Sequence, residues 1–413
     1  MYFFYYIPVG LDIKVTKRVF VTGFFAAVSL VVFILSRYTA SAGGFNPQNL
    51  LFYPANPSIF TAVTHAFVHL GWIHLAGNMI YLVIFGRPLE SKLGAGRFFA
   101  VFALSAAAGA YTHAALAGYF MPSLLDIPVG GASGATSGIL GAFMIYFYYS
   151  RIKVAYWVFM PLQLINKAGK TEVPVVLALL FWLLYQGVYA LVQFGAGSAA
   201  VAYGVHVGGF ICGMGVAVLF GGLRFARRER HLVKARRHFR RAEWFSSQGE
   251  YLSYLEDSSS DPAVQAEAAR AFLCTGSRAE AAGHYASAVK LFKESGQRDI
   301  AEETFVQAVK NIPLFRMEEK FYLEMAFGLE RSLKFYSAGG IYKKFIDIYP
   351  LSESVPLVLM RLAGIYKGRL EEPCKALEYY KRILKEYPGS EWTGFAGREL
   401  EKLQRNDLMS VLP

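Results

Sequence analysis

The chain has 413 residues, enough for two or three domains, and 54% of them are hydrophobic. Its net charge of +12 is unevenly spread, because residues 1–223 contain eleven Lys or Arg and four acids, whereas residues 242–413 contain 22 and 25. This asymmetry predicts a membrane domain followed by an ordinary soluble domain, so the net charge does not indicate nucleic-acid binding. The three cysteines are far apart and form no CxxC pair, which argues against a disulfide framework or a zinc ribbon.

Long uncharged runs in the first half predict six membrane-spanning helices. The first run, residues 19–36, has 18 residues and exceeds the roughly 7–15 residues of a signal-peptide core. We therefore expect a retained span, although Ala40-Ser41-Ala42 resembles a cleavage site. The other five spans fall within 68–86, 98–120 and 133–149, and twice within 173–223, where the break is expected near 195–204.

The charges of the connecting loops predict the orientation of these spans. The loops 1–18, 87–97 and 151–170 together carry ten Lys or Arg, whereas the opposite set carries only Arg37. The positive-inside rule then places the N-terminus in the cytoplasm, and an even number of spans places the C-terminus there too. We expect an integral protein of the bacterial inner membrane with both termini cytoplasmic.

Polar side chains in the spans gather at one predicted level of the membrane. The stretch "GGASGATSG" opens span four and, in this orientation, puts Ser133 at its outer end. His206 lies near the outer start of span six, and His74 and Asn78 lie near the outer start of span two. Polar groups inside spans are costly and mark function, so these four residues are the candidate site.

These residue types suit acyl transfer. The imidazole of His206 can take the proton of the Ser133 hydroxyl and later give it to a leaving amine. No acidic residue lies within a predicted span, which indicates a Ser–His dyad rather than a triad. His74 and Asn78 are four residues apart and project from one helix face, so with the backbone N–H of the serine they form a candidate oxyanion hole.

Glycines surround the candidate nucleophile. Gly131 and Gly134 keep the backbone around it clear. Gly134 with Gly138, and Gly209 with Gly213, form small-xxx-small pairs on spans four and six, which let helix backbones approach closely in lipid. Close approach is what a short serine–histidine hydrogen bond between two spans requires.

Four segments together resemble the rhomboid intramembrane serine proteases, in family order and across about residues 10–223. They are "HLAGN" (74–78), "FGRPLESKLGAGRF" (85–98), "GASG" (131–134) and "HVGGFICG" (206–213). The resemblance implies Ser133 as nucleophile, His206 as general base and acid, and His74 and Asn78 as oxyanion donors. It also implies substrates that are single-span membrane proteins, cleaved within or beside the span near the outer face, and no cofactor.

The same resemblance assigns two further residues and shows two departures. His69 matches a structural histidine, and Glu90 matches an acid of the inner loop. The Trp-Arg pair that some members carry in the first outer loop is absent from residues 38–64. The aromatic residue that often follows the nucleophile by four is Ser137 here, so we expect different packing against the catalytic histidine.

Other interpretations of these residues predict other chemistry. The serine and histidine of the dyad can also be read as helix-packing residues only. Ser137 is a weaker nucleophile candidate because Ala135, not glycine, precedes it by two. His65 and His69 have the spacing of an H-E-x-x-H zinc site, but Ala66 stands where glutamate is required, so no metal site is predicted.

The stretch "RFARRERHLVKARRHFRR", residues 224–241, contains nine basic residues and one acid. We read it as a helix along an anionic inner leaflet rather than as a nucleic-acid site. A loop follows at 255–262. The predicted domains are thus a protease domain over 1–223, a basic helix and linker over 224–262, and a repeat domain over 263–413.

The last domain contains the repeated pattern A-x3-[FY]-x2-[AFI]-x4-P, at periods of 37 and 38. The pattern resembles the second helix of tetratricopeptide repeats, whose period is about 34. Such arrays present a concave peptide-binding surface, so we expect a cytoplasmic protein partner and an all-α fold throughout; a generic helical bundle is the alternative. A non-catalytic membrane scaffold is the competing function. The repeated positions are Ala301, Phe305, Ala308 and Pro313; Ala338, Tyr342, Phe345 and Pro350; and Ala376, Tyr380, Ile383 and Pro388.

Overall fold

The computed structural model describes residues 3–13, 15, 18–38, 46–160, 165–196 and 203–410. The fold is predominantly α-helical, as predicted, and divides into two compact units, Met1–Arg230 and His231–Pro413. Ala40-Ser41-Ala42, which resembles a cleavage site, and most of the predicted break between the last two spans (197–202) lie outside the described residues.

Six helices of the first unit coincide with the six predicted runs. By length and apolar composition alone, one described helix is able to cross a membrane, or up to three if each sharply bent helix pair is taken as a single span. The number of crossings therefore stays a prediction. The helices of this unit are α1 (Val21–Tyr38), α2 (Ile59–Thr64), α3 (Trp72–Leu93), α4 (Ala95–Phe120), α5 (Ser133–Phe147), α6 (Val175–Ala196) and α7 (Tyr203–Leu219), and α8 (Gly222–Arg240) begins in it.

A three-stranded antiparallel sheet was not anticipated from the sequence. Its strands are β1 (Phe3–Leu11), β2 (Arg151–Met160) and β3 (Ile165–Pro174), with β2 in the centre. Exposed and buried side chains alternate at the start of β2, as expected for a strand: Ile152 is buried, and its neighbours Arg151 and Lys153 are exposed. The predicted loops 1–18 and 151–170 thus contain strands whose pairing joins distant parts of the chain.

Glu90 ties the end of α3 to the start of α1. Its buried carboxylate accepts hydrogen bonds from the backbone N–H groups of Phe20, Val21 and Thr22, each at 2.8 Å, and from the Thr22 hydroxyl at 2.7 Å. These are N–H groups that the first turn of a helix leaves without partners, so a residue about 70 positions away caps α1.

The C-terminal ends of α3, α5 and α7 lie at the same end of the helix bundle. The hydroxyl of Tyr146, near the end of α5, donates a 3.0 Å hydrogen bond to the carbonyl of Phe220, just beyond α7. Helices α3, α5 and α7 all run towards this end, the one that holds Glu90 and the sheet. Their N-terminal ends, which carry the candidate site residues, consequently lie together at the other end of the bundle.

Helices α5 and α7 meet backbone to backbone. A Cβ atom added to Gly209 would collide with the carbonyl of Gly134, and one added to Gly213 would collide with the carbonyl of Gly138. Gly141 faces the carbonyl of Phe210 in the same way. Side chains larger than hydrogen at these positions would force the two helices apart.

The second unit is helical throughout its described part. Helix α9 occupies most of what the sequence suggested was a linker, and only residues 258–261 form the loop before α10. After the end of α8, the helices are α9 (Trp244–Asp257), α10 (Pro262–Cys274), α11 (Arg278–Glu294), α12 (Arg298–Asn311), α13 (Glu319–Arg331), α14 (Phe335–Ile348), α15 (Val355–Gly368), α16 (Pro373–Glu386) and α17 (Thr393–Ser410).

The predicted repeat is confirmed in the packing of α12, α14 and α16. All nine of its alanine, aromatic and aliphatic positions are buried, with at most 2% of any side chain exposed. Each proline stands two residues beyond the end of its helix. Small residues bring the helices together, aromatic rings fill the seam, and proline follows where the helix has ended.

Candidate active site

The loop that leads to Ser133 is fixed by backbone hydrogen bonds on both sides. Val129 pairs with Phe52, with N–H to carbonyl distances of 2.8 and 3.1 Å. The N–H of Gly131 donates to the carbonyl of His65 at 2.9 Å, and the N–H of Ala132 donates to Nε2 of His69 at 3.3 Å. His69 thus has the structural position that the sequence predicts for it.

Gly131 and His74 are in direct contact. A Cβ atom added to Gly131 would lie 2.7 Å from Cε1 and 2.8 Å from Nε2 of the His74 ring. The φ angle of Gly131 is +129°, a value that favours glycine. His74, near the start of α3, therefore places its imidazole ring against the backbone of Gly131, two residues before Ser133.

Ser133 is the first residue of α5. Its backbone N–H belongs to the first turn, where N–H groups have no partner within the helix and the helix dipole favours negative charge. The Ser133 side chain is half-buried, whereas Ser137 is buried and donates its hydroxyl to the Ser133 carbonyl at 2.6 Å. Of the two candidate serines, only Ser137 has its hydroxyl bonded within its own helix in the described part of the chain.

His206 is brought to the same layer by the residue before it. The Cγ1 atom of Val205 lies 2.5 Å from where a Cβ on Gly134 would be, and the Val205 carbonyl is equally close to Gly109 of α4. Val205 fits between α4 and α5 because Gly109 and Gly134 have no side chain there. Since Ser133 adjoins Gly134 and His206 adjoins Val205, the contact brings the turns that carry the two candidate dyad residues together, while no hydrogen bond joins Ser133 to His206 in the described structure.

A residue that sequence reasoning missed contacts the histidine from α6. Oε1 of the buried Gln186 lies 2.7 Å from Nδ1 of His206. With the amide oxygen facing the ring, this contact fits the tautomer that carries the proton on Nδ1, which leaves the lone pair on Nε2. The His206 ring also lies near Trp182 and Tyr203, at centroid distances of 6.3 and 6.1 Å. A glutamine within a charge-free span was the signal that could have found this residue.

Asn78 follows His74 by one helical turn on α3. Its side chain is buried, and its Nδ2 has no hydrogen-bond partner among the residues that the structure describes. A buried amide group without a partner is expensive unless something else satisfies it. The two residues occupy the same side of α3, so both are available to one developing charge.

The three neighbouring histidines do not form a metal site in the described structure. Nδ1 of His65 contacts the carbonyl of Thr61 at 3.1 Å, and Nδ1 of His69 contacts the carbonyl of Phe67 at 3.3 Å. His69 and His74 meet edge to face at 5.2 Å between ring centroids. Over the described ranges, no group of three His, Cys, Asp or Glu residues is arranged to hold an ion.

The chain matches the Rhomboid domain family over residues 56–223. Residues 56–223 are a rhomboid domain. The match contains every candidate site residue and helices α2 to α7. A rhomboid domain implies an integral membrane protein of a family that includes intramembrane proteases.

Two curated relatives of the rhomboid domain are similar over short segments. One is Rhomboid protein 1, mitochondrial, of Saccharomyces cerevisiae, 36% identical over 99 residues, which are 23% of this chain and 27% of the relative. The other is Rhomboid protease GlpG of Serratia proteamaculans, 29% identical over 79 residues, which are 19% of this chain and 26% of the relative. The matched segments thus span about a quarter of each relative.

Among solved structures, the TPR domain of P58(IPK) is aligned over 83% of this chain and 99% of its own, at 13% identity and a TM-score of 0.18. A TM-score this low supports no conclusion about the fold. The description of the repeat helices rests on their own packing.

The rhomboid domain departs from the family pattern beside its candidate base. Where an aromatic residue often follows the nucleophile by four, this rhomboid domain has Ser137, which bonds within α5. The His206 ring is instead approached by Trp182 and Gln186 of α6 and by Tyr203 of its own helix.

Proposed function

We propose that this protein is an intramembrane serine endopeptidase that cleaves transmembrane segments of other membrane proteins. The observation that carries the proposal is the state of its two reactive side chains. Ser133 begins a helix with its side chain partly exposed, and His206 has its Nδ1 occupied by Gln186, which leaves Nε2 available as a base. Both belong to a rhomboid domain.

The first half of the reaction forms an acyl-enzyme. Oγ of Ser133 attacks the scissile carbonyl carbon while its proton moves to Nε2 of His206, and the carbonyl π electrons move onto oxygen. When this tetrahedral intermediate collapses, the C–N bond breaks and His206 gives its proton to the leaving amine. An ester between the substrate and Ser133 remains.

The second half consumes one water molecule. His206 takes a proton from water, whose oxygen attacks the ester carbon; the C–Oγ bond then breaks and the proton returns to Ser133. Both steps pass through an oxyanion, for which the donors are the Ser133 N–H, the Asn78 amide and the His74 ring. The unpartnered Nδ2 of Asn78 and the contact of His74 with Gly131 support these roles.

We propose six membrane crossings, with the active site towards the outer face. Basic side chains concentrate at the end of the bundle opposite Ser133: Lys92 lies over the ring of Phe225 at 5.1 Å, and Arg97 lies over Phe220 at 5.5 Å. The positive-inside rule assigns that end to the cytoplasm. One of the two relatives is bacterial and the other mitochondrial, so the bacterial inner membrane rests on the sequence prediction, and cell fractionation with a reporter fused after α7 tests both location and orientation.

The second unit supplies a groove for a cytoplasmic partner. It encloses about 710 Å³ between α13 and α15. Its lining combines apolar and basic groups with two acids, and both acids already have partners: Glu324 is paired with Lys293, and Glu330 with Arg361 and the hydroxyl of Tyr342. The lining residues are Lys320, Leu323, Glu324, Phe327, Glu330, Arg331, Leu333, Phe335, Arg361, Gly364, Ile365 and Arg369.

The occupant that this chemistry favours is an extended acidic peptide with apolar side chains. Lys320 and Arg331 have no acidic partner within 4 Å in the described part of the chain. Leu333, at one edge, is 70% exposed and has a φ of +60°, where glycine is normally preferred. Its exposed side chain adds an apolar contact to the basic lining of the groove.

The enzyme proposal is tested by labelling and cleavage. The purified full chain in liposomes should react covalently with a fluorophosphonate probe and cut a co-reconstituted single-span test substrate. Ser133→Ala should abolish both, and His206→Ala should abolish cleavage. If the folded wild-type protein neither labels nor cleaves a panel of such substrates, the non-catalytic scaffold is the better description.

The groove is tested separately with fluorescent acidic and basic peptides of matched length. Arg331→Glu should weaken acidic-peptide binding by about tenfold or more, the size of one lost charge-assisted contact plus a new repulsion. Arg382→Glu is the control, because Arg382 lies on α16 and pairs only with Glu386 of its own helix in the described structure. Equal binding of both peptide classes would contradict the proposed occupant.

A further inference from the structure

The hydrogen bond between Gln186 and His206 joins two helices of the rhomboid domain. The 2.7 Å distance between Oε1 and Nδ1 is that of a well-formed bond, and Gln186 is 7% exposed. A glutamine at a buried position in an apolar helix is costly unless its amide is satisfied. The only side-chain bond that the described structure gives Gln186 is this one to His206.

The geometry points to Gln186 as a positioning residue for the catalytic histidine, an inference that rests on the proposed protease function. By accepting a hydrogen bond from Nδ1–H, Oε1 selects the tautomer whose Nε2 is unprotonated. It also fixes the rotation of the imidazole and therefore the direction of this lone pair. In a Ser-His-Asp triad the same two tasks belong to the buried aspartate.

A neutral amide performs these tasks differently from a carboxylate. It orients the ring but stabilises the imidazolium less, since it brings no negative charge into the membrane interior. The described structure places no acidic side chain in hydrogen-bond contact with His206, and α5 offers Ser137 where an aromatic residue would pack on the ring. Orientation of the base is therefore left to Gln186, together with Trp182 and Tyr203.

The test compares variants of the full chain in liposomes, with kcat, KM and the rate of fluorophosphonate labelling measured for each. Gln186→Met keeps the length of the side chain and removes the strong acceptor. We expect kcat and the labelling rate to fall by about 10–100-fold, a part of what a positioned general base supplies, with KM within twofold of wild type. Gln186→Glu keeps an acceptor for Nδ1–H and should retain at least a third of the wild-type kcat.

Gln193→Leu is the matched control, because it makes a similar polar-to-apolar change about 10 Å further along α6. It should leave kcat, KM and labelling unchanged. If Gln186→Met leaves kcat within twofold of wild type, or raises KM alone, the inference is wrong. If Gln186→Met does not fold, Gln186→Glu decides, since loss of activity in a folded Gln186→Glu protein also overturns it.

The same experiment separates this inference from the protease proposal. Wild-type cleavage that survives Ser133→Ala would refute the proposed nucleophile, whatever Gln186 does. Cleavage that depends on Ser133 but is indifferent to Gln186 would refute the positioning role alone.

Discussion

The hydroxyl of Ser137 donates a 2.6 Å hydrogen bond to the carbonyl oxygen of Ser133, one helical turn earlier. The two serines of the glycine-rich stretch are therefore chemically distinct. Ser137 is buried and bonded within its helix, while Ser133 is half-buried at the helix start. A hydroxyl that donates to a backbone carbonyl in this way directs its proton at that carbonyl and not at a histidine that could act as general base.

We therefore expect Ser137→Ala to retain at least a third of wild-type cleavage while Ser133→Ala retains none. The alanine removes one local hydrogen bond, which costs about 1 kcal/mol of stability at most because its acceptor carbonyl is already used in the helix. Cleavage of a single-span substrate and labelling by a serine probe measure the difference. The reverse result, an inactive Ser137→Ala with an active Ser133→Ala, would identify Ser137 as the nucleophile.

Close contact between α5 and α7 leads to a second prediction. Gly209→Ala places a methyl group against the Gly134 carbonyl, so the helices must separate next to both dyad residues. We expect a loss of about 1–3 kcal/mol in stability, as for overpacking in a core, and a larger relative loss of kcat.

Gly215→Ala on the same helix is the control, because among the described residues no heavy atom beyond the local backbone of its own helix lies within 4 Å of the added methyl. It should leave the thermal transition in detergent and the cleavage rate near their wild-type values. If Gly209→Ala were equally harmless, the glycine contact would not be what holds the site together.

The oxyanion assignment predicts a kinetic signature for Asn78. A donor that bonds most strongly to the developing charge affects the transition state more than the bound substrate. Asn78→Ala should lower kcat on the order of 10²–10³-fold with little change in KM. EDTA should not affect the wild-type rate; inactivation by EDTA that zinc reverses would support a metal site at His65, His69 and His74 instead.

The sequence predicted those features that depend on local spacing. Helical periods identified the buried seam of α12, α14 and α16, because alanine and aromatic residues at fixed intervals face one side of any helix. Motif resemblance named the candidate serine and histidine, and the loop charges predict an orientation of their helices in the membrane that stays a prediction.

What the sequence did not predict depends on contacts between distant segments. The sheet pairs β1 with β2 some 150 residues later, and although Arg151, Ile152 and Lys153 of β2 alternate between exposed and buried, this local pattern does not identify the distant segment with which β2 pairs. Gln186 and His206 are 20 residues apart on different helices, a separation to which no periodicity applies. Likewise, only the fold reveals that Gly131 is needed because the His74 ring occupies the space of a side chain.

Glu399 predicts an acid-dependent loss of stability in the second unit. Hydrogen bonds from Lys367 at 2.6 Å and Lys402 at 2.7 Å hold the pKa of Glu399 at about 2, below its ordinary value of 4.5. A carboxyl whose pKa is lowered in the folded state stabilises it above pH 4.5 and loses that contribution as the pH falls towards 2. Because the group is partly exposed, solvent screening limits the contribution to about 1 kcal/mol.

Glu399→Gln in the fragment His231–Pro413 should thus unfold at lower urea concentration than wild type at pH 7, and the difference should vanish between pH 4.5 and pH 2. High salt should also reduce it. Glu401→Gln is the control, since Glu401 is exposed on the same helix and has no ion pair in the described structure. A difference that persists unchanged at pH 2 would exclude this ion pair as its cause.

The division into two units predicts that catalysis and recruitment separate. Every candidate catalytic residue precedes residue 214, and the chain divides between Arg230 and His231. A break there is preferable to one after α8, because Leu232 and Ala235 pack against Tyr251 of the second unit. A chain ending at Arg230 should insert into membranes, react with the serine probe and cleave a generic single-span substrate at a rate near that of the full chain.

The complementary fragment, His231–Pro413, should bind the acidic peptide as tightly as the full chain does, while the truncated protease should not bind it. This follows if the groove between α13 and α15 is complete within its own unit, since all of its lining residues lie between positions 320 and 369. Peptide binding and probe labelling of the two halves measure this division. A truncated chain that is folded and inserted yet unreactive would mean that the repeats take part in catalysis, and a fragment that binds no peptide would mean that the groove needs the membrane unit.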